Sequence, residues 1–193
     1  MFEAFFTSTA VVALAEIGDK TMLLAIVLAA RLRAPWAILL GIFVATMANH
    51  ALAALVGSQI AGLLDAPWFR ITVALGFIAM AAWTMVPDKL DEDEDSVTHR
   101  GSAFLTTLVA FFLVEMGDKT QVATIALGAQ YHSVLVVAAG TTLGMMMANG
   151  PAVFLGEKLV EKVSLKLTRT IAALLFLFLG LWQLAEVLGW IGH

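Results

Sequence analysis

The chain has 193 residues, of which 61% are hydrophobic and only 13% charged, with a formal net charge of −4 and no cysteine. Soluble domains carry about 45–50% apolar and about 25% charged residues, so these charges are too few to coat a globule of this size. Disulfide and thiolate chemistry are excluded, and the absence of a basic cluster argues against a nucleic-acid partner.

The N-terminal run resembles a signal peptide, with Ala13-Leu14-Ala15 like a cleavage site, but Met1-Phe2-Glu3 lacks the positive leading region. It is read as a retained first span. Six apolar segments follow in order, at 4–30, 34–57, 68–86, 103–130, 133–156 and 170–190. A helix needs about 20 residues to cross a bilayer core of ~30 Å, so each segment is long enough. They are apolar on every face, which disfavours the alternation of a β-barrel. Pro35 and Pro67 stand at segment starts and Pro87 just past a segment end, where a missing N–H does least harm. Pro151 follows Asn149-Gly150 and is expected to kink the fifth segment. The expected fold is an all-α polytopic membrane protein with six transmembrane helices and the lipid bilayer as its solvent.

Lys and Arg set the orientation. Arg31, Arg33, Lys89, Arg100, Lys158, Lys162, Lys166 and Arg169 fall in the odd-numbered connections, against Arg70 alone on the other face. That bias predicts both termini outside and the connections 1–2, 3–4 and 5–6 in the cytoplasm. The third connection carries six carboxylates between Asp88 and Asp95. Such a run stays solvated and reads as a linker over 87–102, between one half at 1–86 and another at 103–193. A cation-collecting role for it is the sharper alternative.

The two halves match each other. Glu16-Ile17-Gly18-Asp19-Lys20-Thr21 lies on Glu115-Met116-Gly117-Asp118-Lys119-Thr120, a shift of 99 residues. Phe5, Gly41, Phe77 and Trp83 fall on Phe104, Gly140, Phe176 and Trp182. One residue of slip aligns Met47-Ala48-Asn49 with Met147-Ala148-Asn149. A repeat of three spans enters the membrane from opposite sides in its two copies, as the charge bias also says. The expectation is two inverted three-helix repeats, a common build for secondary transporters whose sites lie near the midplane.

The repeated motif holds the chemistry. Glu16, Asp19, Lys20, Glu115, Asp118 and Lys119 lie mid-membrane, where each charge costs about 2.5–3.5 kcal/mol at a helix centre. They are tolerable only together, or with a ligand or water. Glu16, Asp19 and Lys20 fall on one side of a helix by their i, i+3 and i+4 spacing. The first segment would be roughly 40 Å long if helical, so it must tilt or break, and Gly18 and Gly117 mark the natural place. Unwinding there would free backbone carbonyls.

Four carboxylates and two lysines sum to −2, which a divalent cation would neutralise. Oxygen-rich ligation suits Mg²⁺, Ca²⁺ or Mn²⁺. Thr21 and Thr120 can add hydroxyls, Asn49 and Asn149 amide oxygens, and Gln121, which replaces Met22 across the repeat, an asymmetric contact. Helix–helix hydrogen bonding is the rival role for the two asparagines. Met47 and Met147 are weaker thioether candidates, His50 has no copy because Gly150 replaces it, and Glu186 is expected to be solvated. Low dielectric favours the protonated form of a carboxylic acid, so protons can replace the departing metal. That makes metal/proton exchange chemically available. Lys20 and Lys119 then balance charge.

A six-helix chain with two copies of Glu-x-Gly-Asp-Lys-[Ser/Thr] and an acidic central loop resembles the Gdt-type cation transporter family. The resemblance covers essentially the whole chain, with both motifs intact at 16–21 and 115–120. It implies that Glu16, Asp19, Glu115 and Asp118 bind a transported cation in exchange for protons, and that the short form belongs to the bacterial, Mn²⁺-exporting branch. The expected function is therefore a secondary transporter exporting Mn²⁺ against H⁺, with no resident cofactor. A Ca²⁺/H⁺ exchanger is the nearest alternative. An exporter of small organic solutes would need a roomier pocket, and an intramembrane hydrolase would need a His-Glu-x-x-His helix or a Gly-x-Ser-x-Gly turn that the chain lacks.

Overall fold

The computed structural model describes residues 1–62, 66–86, 102–156 and 165–190. The acidic linker, apart from Ser102, lies outside them, as do Lys89, Arg100, Lys158 and Lys162 of the charge bias. The described residues form eight α-helices and no strand. In chain order they are α1 (Phe2–Glu16), α2 (Lys20–Leu32), α3 (Pro35–Ile60) and α4 (Pro67–Thr84), then α5 (Ala103–Glu115), α6 (Lys119–Tyr131), α7 (Val134–Leu155) and α8 (Leu165–Val187). Four of them, α3, α4, α7 and α8, are each long and apolar enough to cross a membrane.

The remaining four are short because the first and fourth apolar segments break at the motif. Elsewhere the boundaries follow local chemistry. Pro35 and Pro67 open α3 and α4, where proline's fixed φ fits and its missing N–H costs nothing. Ser102 caps α5 by accepting from Leu105 N–H at 3.3 Å. Helix α7 runs on through Pro151 to Leu155, and α8 starts five residues before the expected apolar boundary.

The halves interlock. Helix α1 packs on α7, α3 packs on both α5 and α6, and α4 packs on α8. A Cβ added at Gly41 would stand 2.9 Å from Phe104 O and one at Gly140 2.7 Å from Phe5 O, so the same contact occurs once in each half with the partners exchanged. Small residues let helix backbones approach this closely. The α3–α6 crossing is also tight, since a Cβ at Gly57 would run into Ile125 O and one at Gly128 would meet Ala54 O at 2.6 Å. Phe77 of α4 stacks on Phe176 of α8, its own match in the repeat, with centroids 6.4 Å apart.

Side chains at the helix ends show which ends lie together. The start of α1 lies beside the start of α7, through Phe2, Phe5, Leu135 and Val136. The start of α3 lies beside the end of α7, through Trp36 and Phe154. Arg70 at the start of α4 pairs with Glu186 at the end of α8 at 3.3 Å. Glu186 is therefore partnered as well as partly exposed, though a pair this open contributes only about 0–1 kcal/mol. Large apolar side chains such as Leu40, Leu135, Leu174 and Trp182 cover the outside of the bundle. An apolar exterior with charge gathered inside is the reverse of a soluble protein.

Candidate metal site

Each copy of Glu-x-Gly-Asp-Lys-Thr folds as a helix end, a tight turn and a new helix start. Ile17 has φ −66° and ψ 110°, Gly18 has φ 87°, and Asp19 N–H donates to Glu16 O at 3.0 Å. These are the features of a type II turn with glycine at its third position, where φ must be positive. The second copy repeats it, with φ −67° and ψ 117° at Met116, φ 81° at Gly117 and Asp118 N–H to Glu115 O at 3.2 Å. Each aspartate then stands at the N-cap position of the next helix in an extended conformation, Asp19 without a side-chain cap bond and Asp118 with one. Asp118 Oδ2 accepts from Thr120 N–H at 3.5 Å. Lysine is the first helical residue. Threonine is the second, and its hydroxyl reaches back across the break: Thr21 Oγ1 donates to Glu16 Oε2, and Thr120 Oγ1 to Glu115 Oε2 at 3.0 Å. The spacing of the motif is the spacing of this turn.

The two turns meet. Lys119 Nζ lies 2.6 Å from Asp19 Oδ1, and Lys20 Nζ lies 3.6 Å from Asp118 Oδ1. Each lysine answers the aspartate of the other copy. Glu16, Asp19 and Asp118 each bring a carboxylate oxygen within 4.8 Å of the others, a group of the kind that could hold a metal ion. All three are buried, as are Lys119, Thr21 and Thr120. Burial of three carboxylates is sustained by compensating positive charge, here the two lysines. Glu16 Oε1 is buried without a hydrogen-bond partner among the described residues. A buried oxygen left open this way suits a cation or a proton.

Glu115 is outside that 4.8 Å group but is joined to it through Thr120, whose hydroxyl also reaches Asp118 Oδ2 at 3.5 Å. Its Oε2 takes the Thr120 hydroxyl and lies 3.9 Å from His50 Nε2, and its Oε1 has no hydrogen-bond partner among the described residues. His50 is fully buried, and neither ring nitrogen makes a hydrogen bond among the described residues. The sequence ranks His50 low because the repeat does not copy it. The available signal was its place beside Asn49, on the helix that faces the second motif.

The amides divide. Asn49 Nδ2 donates to Phe112 O at 3.2 Å, and its Oδ1 accepts from Gln121 Nε2. Gln121 Oε1 in turn accepts from Gly117 N–H at 2.7 Å. These two amides thus form a brace from α3 to the second turn, the helix-linking role weighed against ligation for Asn49. Asn149 is buried, with its Oδ1 unpartnered among the described residues and its Nδ2 on Met145 Sδ at 2.7 Å. Met147 is 57% exposed and faces away from the buried charges. Met47 Sδ meets the Thr142 hydroxyl at 3.9 Å.

The model of the divalent cation/proton antiporter GDT1 matches residues 4–92 and 103–190. The chain belongs to the GDT1 family. A Vibrio cholerae protein named "Putative manganese exporter" is 49% identical over 175 residues, covering 90% of this chain and 86% of its own length. GDT1-like protein 4 of rice is 31% identical, covering 92% of this chain and 71% of its own. A GDT1-like protein of Synechocystis is 30% identical over 91% of this chain and 94% of its own. No solved structure matches significantly. GDT1 proteins are transporters of divalent cations and protons, not an enzyme class, and the apolar helices agree with a place in the membrane.

Proposed function

We propose that this GDT1 protein exports Mn²⁺ from the cytoplasm in exchange for H⁺, across the bacterial inner membrane with both termini outside. Its two halves act as inverted three-span repeats, each broken helix pair counting as one span. The exchanged packing of Gly41 and Gly140, and the reciprocal lysine–aspartate pairs, support that symmetry. The choice of Mn²⁺ rests on the name of the Vibrio relative. Hard oxygen ligands are chemically consistent with it.

The observation that carries the mechanism is the convergence of Glu16, Asp19 and Asp118 between two lysines. In the metal-free cage the lysines neutralise the aspartates. Arriving Mn²⁺ competes with them for the same oxygens, and Glu16 supplies a ligand already oriented by Thr21. When the metal leaves, lysine ammonium groups and protons on Glu16 and Glu115 restore neutrality. His50 faces Glu115 and completes a buried proton-exchange pair. Asn49 and Gln121 hold the second turn in place, and Asn149 is an accessory amide.

The test is Mn²⁺ transport by protein reconstituted in vesicles carrying a pH-sensitive dye. Mn²⁺ movement should drive an opposite proton movement. Glu16→Gln and Asp118→Asn should abolish both, with the protein still folded in the membrane. Wild-type transport in either variant would remove that residue from the cage, and Mn²⁺ flux without a pH change would reject exchange. Equal-concentration competition with Ca²⁺, which prefers more and longer oxygen contacts, tests the metal.

A further inference from the structure

A cavity of about 300 Å³ lies away from the carboxylate cage, between the start of α1, the end of α6, α4 and α8. Its polar lining includes Glu3, Thr7, Gln130 and Gln183. Gln183 is only 5% exposed, so a buried amide is kept in this wall at a desolvation cost. Phe77 and Leu127 also line the cavity, and both are buried in one apolar cluster with Val11, Ala15, Ala123 and Phe176.

That cluster connects the cavity to the cage. On α1, Thr7, Val11 and Ala15 succeed one another at intervals of four residues, and Glu16 follows. On α6, Leu127 and Ala123 lead back at the same interval to Lys119. Helical residues four apart share a face, so on α6 one face runs from the cavity to Lys119, and on α1 one face runs from the cavity to Ala15, the residue before Glu16. At 1.5 Å per residue the distance from Thr7 to Glu16 is about 13 Å. The intervening residues are apolar, with Val11, Ala15 and Ala123 small and Leu127, Phe77 and Phe176 packed beside them.

The repeat does not copy this polar lining. Ser102 stands where the repeat matches Glu3, Arg31 where it matches Gln130, and Thr84 where it matches Gln183. Thr84 turns its hydroxyl onto Met80 O of its own helix at 2.8 Å. The cavity's mouth therefore carries a carboxylate and two amides, while the matching positions carry an arginine and no acid.

We propose that this cavity is a vestibule for the hydrated divalent cation on its way between the cage and one membrane face, with Glu3 the carboxylate that holds the ion there and Gln130 and Gln183 its hydration partners. This rests on the cage being a cation site. The asymmetry gives the two faces different affinities: the ion is held at the Glu3 mouth and not at the face where the repeat places Arg31. The apolar stretch past Val11 and Ala15 is the barrier it must cross when the helices rearrange.

The experiment measures Mn²⁺ transport in vesicles with protein of known orientation, Mn²⁺ being added to one face at a time. Glu3→Gln should raise KM about fivefold for Mn²⁺ added at the Glu3 face, leave KM at the other face and the maximal rate unchanged, and lose its effect in high salt, where an exposed charge is screened. Gln130→Arg, which copies Arg31, should raise KM at the same face. Thr7→Trp should fill the cavity and stop transport, while Mn²⁺ binding to detergent-solubilised protein persists. Unchanged KM in both Glu3→Gln and Gln130→Arg, or an equal change at both faces, overturns the vestibule. Absence of Mn²⁺ binding and transport in the wild-type protein overturns the cage itself, a distinct result.

Discussion

The two motif lysines are identical in sequence, yet their replacement should have unequal effects. Lys119 is 2% exposed and 2.6 Å from a buried Asp19 oxygen; Lys20 is 22% exposed and 3.6 Å from Asp118. With an effective dielectric near 20 the gross attractions are about 6 and about 5 kcal/mol, a small difference. Burial decides the net effect. Removing one partner of a buried pair leaves an uncompensated charge and costs about 3–5 kcal/mol. Lys20 is itself partly exposed and its contact is longer, so its loss should cost less than that of Lys119, although it too leaves a buried aspartate, Asp118, behind. Lys119→Gln should therefore lower the thermal unfolding midpoint of the detergent-purified protein by on the order of 10 °C, and Lys20→Gln by a few degrees. Mn²⁺ should close most of the Lys119→Gln gap, because the metal supplies the missing positive charge and binding to the folded state stabilises it. Tryptophan fluorescence during heating, with and without Mn²⁺, reads both effects. Equal losses for the two lysines, or a gap that Mn²⁺ leaves unchanged, would refute the asymmetric cage.

Gly117→Ala tests the turn alone: φ is 81° and an added Cβ would meet nothing within 4 Å, so a loss of about 1–2 kcal/mol in denaturation would come from the backbone; a neutral result contradicts the turn. Gln121→Leu cuts the brace to Asn49 and Gly117 N–H, and should slow transport while leaving Glu16, Asp19 and Asp118 able to bind Mn²⁺, as equilibrium binding would show. Gly57→Leu places a side chain where a Cβ would already run into Ile125 O, and should prevent folding, seen as loss of the monodisperse peak on size exclusion. Arg70→Ala should change stability by less than about 1 kcal/mol, because the Glu186 pair is open to its surroundings.

Much of the site was legible in the sequence because the motif is local. A turn with glycine third and an aspartate fourth, at the start of the next helix, is written in consecutive residues, and so is the return of threonine to glutamate five residues back. The break in the first segment follows from length, since an unbroken helix would overrun the bilayer. Glu115 and His50 were not legible as a pair, because α3 meets α5 and α6 through glycine contacts that have no signature in either segment alone. Asn49 and Gln121 are candidate ligands by composition and partners of each other by geometry. Glu186 is expected to be solvated from its place near the outer end of the sixth segment, and its partner Arg70 comes from a different helix, α4.

The sequence by itself determined the class, the doubled motif and the membership of the charges. Apolar composition and charge placement are sums over residues, and a repeat is a comparison of residues, so neither requires a fold. Only the tertiary structure decided which charges meet. It crossed the halves, set Lys119 on Asp19 and Lys20 on Asp118, drew Glu16 toward both aspartates and left Glu115 beside His50. Two copies of one motif became unequal because burial and distance belong to the packed bundle and not to the chain.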